Sequence, residues 1–272
     1  MRGTIRKRAK NSWTIVIDLE RDATGKRRQK WITVRGTKKQ AEAKLAQVVH
    51  QSETGSYVSP TKLSLGAFLA RWIKDYAVTN VRPRTLEGYS DIINAHLIPK
   101  LGAIPLSQLN GSHLQGYYSD ALLSGRSDGT GGLSPRSVLH HHRVLREALG
   151  HAVKWGLLGR NVADSVDPPR PEKKEMNTLD SNGVSRLLEA ARDTLYFPFL
   201  HLAIFTGLRR SELLALRWVD VDLERATLSV VRVVHRIRGE GLVHQPPKTN
   251  KSRRQVELAP QTVLSLMAHR ER

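Results

Sequence analysis

Arg209 is the residue of this chain best placed to do chemistry. It stands in Thr206-Gly207-Leu208-Arg209-Arg210-Ser211-Glu212-Leu213, between the apolar run 197–205 and a second amphipathic stretch. A guanidinium mounted between two packed segments can hold two phosphate oxygens through a parallel pair of N–H bonds. Glu212, three residues on, can orient it. The same spacing also serves as a plain structural Arg–Glu pair at a helix start. Lys248 and Lys251, in Pro247-Lys248-Thr249-Asn250-Lys251-Ser252-Arg253-Arg254, are the next candidates. A lysine can donate a proton when its surroundings lower its pKa. Otherwise it contacts a phosphate without chemistry.

Those residues need a frame. Gly207 permits a positive φ or a close approach. The spacing predicts helices over 184–191, 197–205 and 211–218, the last with Leu213, Leu214, Leu216 and Trp218 as apolar positions. Residues 226–234 are β-rich, and Arg238-Gly239-Glu240-Gly241 has turn composition. Residues 242–247 and 254–258 are expected to complete a three-stranded sheet, and Pro260 to open a last helix.

Upstream, residues 65–166 read as helical. Leu65, Phe68, Leu69, Trp72, Ile73 and Tyr76 keep helical spacing, as do Leu86, Tyr89, Ile92, Ile93 and Leu97, with Pro99 and Gly102 as the expected stop. A third helix is expected over 114–123. Ser134-Pro135 opens a fourth, carrying Val138, Leu145, Leu149, Ala152 and Val153. The aromatic residues here read as core. At the N-terminus Trp13, Ile15, Ile17 and Leu19 alternate, as do Ile32 and Val34 against Trp31 and Thr33, which predicts strands joined by a turn over 22–26. Thr37 with Gln40 forms a capping-box pattern ahead of Ala41, Leu45, Val48 and Val49, with Gly55 as the stop. Residues 56–64 and 167–174 read as linkers. The strand face opposite the apolar one is expected to carry Arg6, Arg8, Arg28 and Lys30, and a basic sheet of this kind can enter a DNA groove.

The 272 residues carry a net charge of +19, and residues 1–50 alone hold 14 Lys/Arg against 4 Asp/Glu. Such a balance implies a polyanionic partner. Double-stranded DNA fits better than a membrane, since the longest apolar runs fall far short of the ~20 residues needed to span one. There is no cysteine, hence no disulfide and no thiolate metal site. The start lacks an apolar signal core, and a cytoplasmic protein is the simplest reading. His140-His141-His142 invites a metal, but consecutive helical residues diverge and no acidic partner is near. A solvated or DNA-facing surface is expected there. Neither a metal nor another cofactor is expected.

Two segments stand in order, joined by a strand-like stretch: 206–218 followed by Asp220-Val221-Asp222, and 247–254 followed by Val256-Glu257-Leu258-Ala259-Pro260. On these residues the chain resembles the tyrosine recombinase (phage integrase) family, whose catalytic arginine lies in the first box and whose catalytic lysine lies in a β-hairpin formed by the second. Residues 155–163 resemble the end of that family's core-binding domain. The resemblance implies an α+β, multidomain chain. Residues 1–55 would be an arm-type DNA-binding domain, a small three-stranded sheet plus helix. Residues 63–166 would be a helical, SAM-like core-binding domain. Residues 175–272 would be the N-terminal part of a mixed α/β catalytic domain. It implies site-specific DNA integration and recombination through a phosphotyrosine intermediate, by a homo-oligomer (a tetramer) on DNA. Arg209 would bind the scissile phosphate and Lys248 would protonate the leaving 5′-oxygen, with Lys251 as the neighbouring alternative. Arg136, like the N-terminal arginines and lysine, would touch DNA.

The family's later boxes, a His-x-x-Arg and a nucleophilic tyrosine, have no convincing counterpart. His140–Arg143 matches as a string but lies upstream, and His269–Arg272 follows Lys248 by only 21 residues. All six tyrosines (Tyr57, Tyr76, Tyr89, Tyr117, Tyr118, Tyr196) precede Arg209. The expectation is an incomplete portion that binds DNA without cutting it, with apolar surface uncovered on 184–216. The competing reading is a stand-alone, non-catalytic DNA-binding protein acting at recombination sites.

Overall fold

The computed structural model describes residues 3–19, 28–53 and 62–271. The expected turn over 22–26, the stop at Gly55, most of the 56–64 linker and the side chains of Arg28 and Lys30 lie outside the described residues. The chain divides into two compact units, residues 1–80 with 88–171 and residues 81–87 with 172–272. The fold class is α+β.

The first unit opens with an antiparallel sheet of β1 (Gly3–Ala9), β2 (Ser12–Leu19) and β3 (Arg28–Arg35), in that order. Ile15 faces Ile5 on one side and Ile32 on the other. Helix α1 (Lys38–Glu53) closes this face, its Leu45 and Val48 packing with Ile15 and Ile17. The Thr37–Gln40 box forms as expected, each backbone N–H donating to the other side chain at 2.8 and 3.3 Å. Of the four basic residues expected on one face, the side chains of Arg6 and Arg8 are described. They lie near Trp31 and Thr33. Lys30 pairs with Ile17 and Arg28 with Leu19.

Helices follow. Helix α2 (Leu65–Trp72) runs through a wider turn at Ile73–Ala77 into α3 (Val78–Asn80). Helix α4 (Pro83–Ile92) runs through a similar turn at Ile93–Leu97 into α5 (Ile98–Leu101). Pro99 therefore does not end the helix. It follows the wider turn at Ile93–Leu97, and the run ends at Leu101 with Gly102 as its cap. Helix α6 (Gly111–Ser124) has an Asn110–His113 capping box, and α7 (Pro135–Lys154) is capped by Ser134, whose Oγ accepts from Ser137 N. Leu65, Phe68, Leu69, Trp72, Ile93, Leu97, Leu114, Val138, Leu145 and Leu149 form the core.

The histidines of α7 depart from expectation. His141 and His142 are buried and hydrogen-bonded to Tyr117 (2.7 Å) and Tyr118 (2.9 Å), and only His140 is exposed. They share the inward stripe of Val138, Leu145 and Leu149. Burial pushes His141 down to about 4, helped by the neighbouring His96 and His140. A depressed histidine contributes stability above its unfolded pKa and loses it as pH falls through the folded value. Between about pH 6.5 and 4 the first unit is expected to lose about 3 kcal/mol at this residue. Comparing urea midpoints of the parent and His141→Gln across that window tests it, since glutamine accepts from Tyr117 without titrating. Parallel pH profiles would refute the assignment.

The second unit contains α8 (Ser181–Ala191), α9 (Phe197–Thr206), α10 (Arg210–Leu213), β4 (Val221–Asp222), β5 (Thr227–Val230), β6 (Val233–Ile237), β7 (Gly241–Gln245), β8 (Arg254–Glu257) and α11 (Pro260–Arg270). Leu202, Leu208, Leu213, Leu228, Val230, Leu258 and Leu266 make its core. The expected three-stranded sheet is differently paired. Strand β8 joins β5 and β4, while β6 and β7 form a separate hairpin. The expected 211–218 helix is one turn. The Asp220 carboxylate accepts from Arg217 N at 3.1 Å and pairs with Arg232, starting a new short turn at Trp218–Asp220. Within 184–216, Leu195, Tyr196, Phe205 and Leu214 are exposed, as expected for uncovered apolar surface.

Candidate functional site

Arg209 is mounted where two helices meet. Gly207 ends α9 with φ +62°, a left-handed conformation that an L side chain resists. Leu208 is then buried, and Arg209 takes the extended backbone of an N-cap ahead of α10. Its side chain is 71% exposed, yet Nη1 donates to Glu212 Oε1 at 3.0 Å. Its backbone N–H donates to Glu212 Oε2 at 2.9 Å. The expected Arg–Glu contact is therefore made, with the guanidinium still open to solvent.

The carboxylate is the buried member. Glu212 has a side chain only 2% exposed and also takes a two-pronged pair from Arg254, Nη1 to Oε1 at 3.2 Å and Nη2 to Oε2 at 2.9 Å. Burial pushes its pKa up, but the hydrogen bonds from Arg254 and from the backbone and side chain of Arg209 outweigh that and hold it at about 2. An ionised, fully bonded carboxylate is a rigid anchor. Sequence reasoning assigned Arg254 no role. The signal was there: Arg254, Val256 and Leu258 alternate on the inward side of β8 and its exit, and an inward arginine needs a carboxylate.

Lys248 is exposed, on the segment after β7 that passes through buried Pro247 and a short turn at Asn250–Ser252. Strands β7 and β8 belong to different sheets, so this segment is a loop between sheets rather than the turn of one hairpin. Among the described residues no hydrogen bond or ion pair joins Lys248 to Arg209. Lys251 is also exposed. The structure ties the arginine box to the second box through Arg254.

In the first unit, Arg6 lies over the Trp31 ring at 5.9 Å, and Arg8 Nη1 donates to Thr33 Oγ1 at 3.5 Å. Trp31 is 59% exposed, so this face offers a flat ring beside two cations. Arg136 is exposed in the first turn of α7. His269 of the second His-x-x-Arg string packs against the Trp218 ring at 5.9 Å. Among the described residues no cluster of His, Cys, Asp or Glu could hold a metal ion, and no helix is long and apolar enough to cross a membrane.

The arrangement has close relatives. A family model for the phage integrase N-terminal SAM-like domain matches residues 64–122. A protein named tyrosine recombinase XerC-like, from Caldanaerobacter subterraneus subsp. tengcongensis, is 26% identical over 98% of this chain and 70% of its own length. An integrase of Streptomyces ambofaciens is 29% identical over 95% of this chain and 65% of its own. The Tn1549 transposon integrase, solved in complex with a circular intermediate DNA, shares the fold with a TM-score of 0.66 at 19% identity, over 77% of this chain and 65% of that one. Over nearly its whole length the chain is similar to proteins named tyrosine recombinase or integrase. It spans about two thirds of the length of these three proteins.

Proposed function

We propose that this chain binds double-stranded DNA in site-specific recombination, and that Arg209 receives a backbone phosphate there. The observation that carries the reading is a guanidinium held by a buried carboxylate at one end and open to solvent at the other. Such a group binds a phosphate with little loss of freedom, because its orientation is set beforehand. In the strand-cleavage chemistry of the family, Arg209 would neutralise the scissile phosphate. Lys248 would hand a proton to the leaving 5′-oxygen. Residues 1–55 would form an arm-type unit, with Arg6 and Arg8 on its outer face and Arg28 and Lys30 contributing charge from β3. Residues 63–166 would clamp the core site, with Arg136 on the backbone, and residues 175–272 would supply the catalytic arginine and lysine. Cleavage and rejoining would proceed in a tetramer on DNA, in the cytoplasm, with no cofactor.

A second reading is a DNA-binding protein that occupies such sites without cutting. It is favoured by the described tyrosines of the first unit, of which Tyr89, Tyr117 and Tyr118 are already hydrogen-bonded to Glu147, His141 and His142. Both readings require electrostatic binding. If ~6–8 phosphates are neutralised, log K should fall with log salt at a slope of about −5 to −7. Fluorescence anisotropy with a labelled duplex across a salt series measures it. Affinity that ignores salt would refute both.

A further inference from the structure

We propose that Arg254 is a positioning residue for Arg209, acting through Glu212 to fix the direction in which the exposed guanidinium is presented. The proposal rests on the reading of Arg209 as a phosphate ligand.

The geometry is that of a saturated carboxylate. Oε1 of Glu212 accepts from Arg209 Nη1 and Arg254 Nη1, and Oε2 accepts from Arg209 N and Arg254 Nη2. Two oxygens offer about four acceptor sites, so all are filled. A carboxylate on its own turns freely about its last torsion, which has broad wells. The fork of Arg254 removes that freedom, because two parallel bonds define a plane. Arg209 then meets an acceptor with one orientation, while its side chain stays 71% exposed. Arg254 is suited to hold rather than to bind: its side chain is 33% exposed against 71% for Arg209. It also donates from Nη1 to the carbonyl of Ser252 at 3.4 Å, at the end of the loop that carries Lys248. One side chain thus ties the arginine segment to the lysine segment.

A double-mutant cycle on the whole chain tests the idea, read by anisotropy with a labelled duplex at low salt. Arg209→Ala should weaken binding about tenfold, the loss of roughly one phosphate contact. Arg254→Lys keeps a cation beside Glu212 but loses the fork, so the fold should survive. It should weaken binding about three- to fivefold when Arg209 is present and less than twofold when Arg209 is alanine. Equal losses in both backgrounds would mean that Arg254 touches DNA itself or supports the fold generally, and would overturn the proposal. So would an Arg254→Lys protein that binds like the parent. A variant that unfolds would lose binding in both backgrounds and count the same way. If Arg209→Ala leaves affinity intact, the phosphate role of Arg209 falls first, and its positioning by Arg254 with it.

Discussion

A polypeptide of these 272 residues is expected to leave no covalent adduct on a nicked suicide substrate. Cleavage of this class needs a tyrosine oxygen in line with the scissile phosphate. Of the described tyrosines, four are engaged in the first unit. Tyr76 packs against His151 with ring centroids 4.0 Å apart, and Tyr89 donates to Glu147 at 2.7 Å. Tyr117 and Tyr118 are buried against His141 and His142. Burial pushes the phenols of Tyr89, Tyr117 and Tyr118 well above their ordinary range, so none forms a phenolate readily. Tyr196 is exposed at 72%, but it precedes α9, whereas Arg209 follows that helix's far end. Ten residues of helix separate the two by about 15 Å of rise. Phosphate binding alone does not break the bond, because the positioned nucleophile contributes most of the lowered barrier. Denaturing electrophoresis would show only unmodified protein and DNA. A slower-migrating adduct would sink this expectation, and its mapping to Tyr196 would identify the nucleophile.

The mount of Arg209 was legible because each part is local. An apolar run predicts α9, a glycine predicts its left-handed end, and an acid three residues on predicts the contact. The Thr37 and Ser134 caps were legible for the same reason. What failed depended on partners distant in sequence. The 211–218 pattern suits a helix, but Asp220 is drawn away by Arg217 and by Arg232, twelve residues on. Strand β8 looked like the partner of the strand before it, yet it pairs with β5 across the intervening hairpin. His141 and His142 read as surface because histidine is polar, although their spacing from Val138 and Leu145 put them on the buried stripe. Two tyrosines on α6 make that burial tolerable, and a sequence does not announce which tyrosines face which histidines.

Glu212 is expected to be the residue on which the second unit depends most. Glu212→Ala removes a buried anion on which Arg209 and Arg254 converge, and leaves Arg209 N without its acceptor. Losing one partner of a buried pair typically costs ~3–5 kcal/mol. Here the orphaned groups are guanidiniums that water reaches, so the lower end, about 3 kcal/mol, applies. Arg209→Ala should cost less than about 1 kcal/mol, because that side chain is largely exposed and Glu212 keeps Arg254. The order separates holding from binding: the glutamate matters for the fold, the arginine for the ligand. The titration has a definite sign. Glu212 is held at about 2, below its ordinary 4.5, so its contribution is present above pH 4.5 and is lost as pH falls through 2. Glu212→Gln should therefore destabilise the unit at neutral pH and flatten its pH profile between those values. Hydrogen exchange of peptides from 172–272 under mild urea reads both effects within that unit. If Glu212→Ala protects those peptides as well as the parent does, the carboxylate is not the anchor of the site.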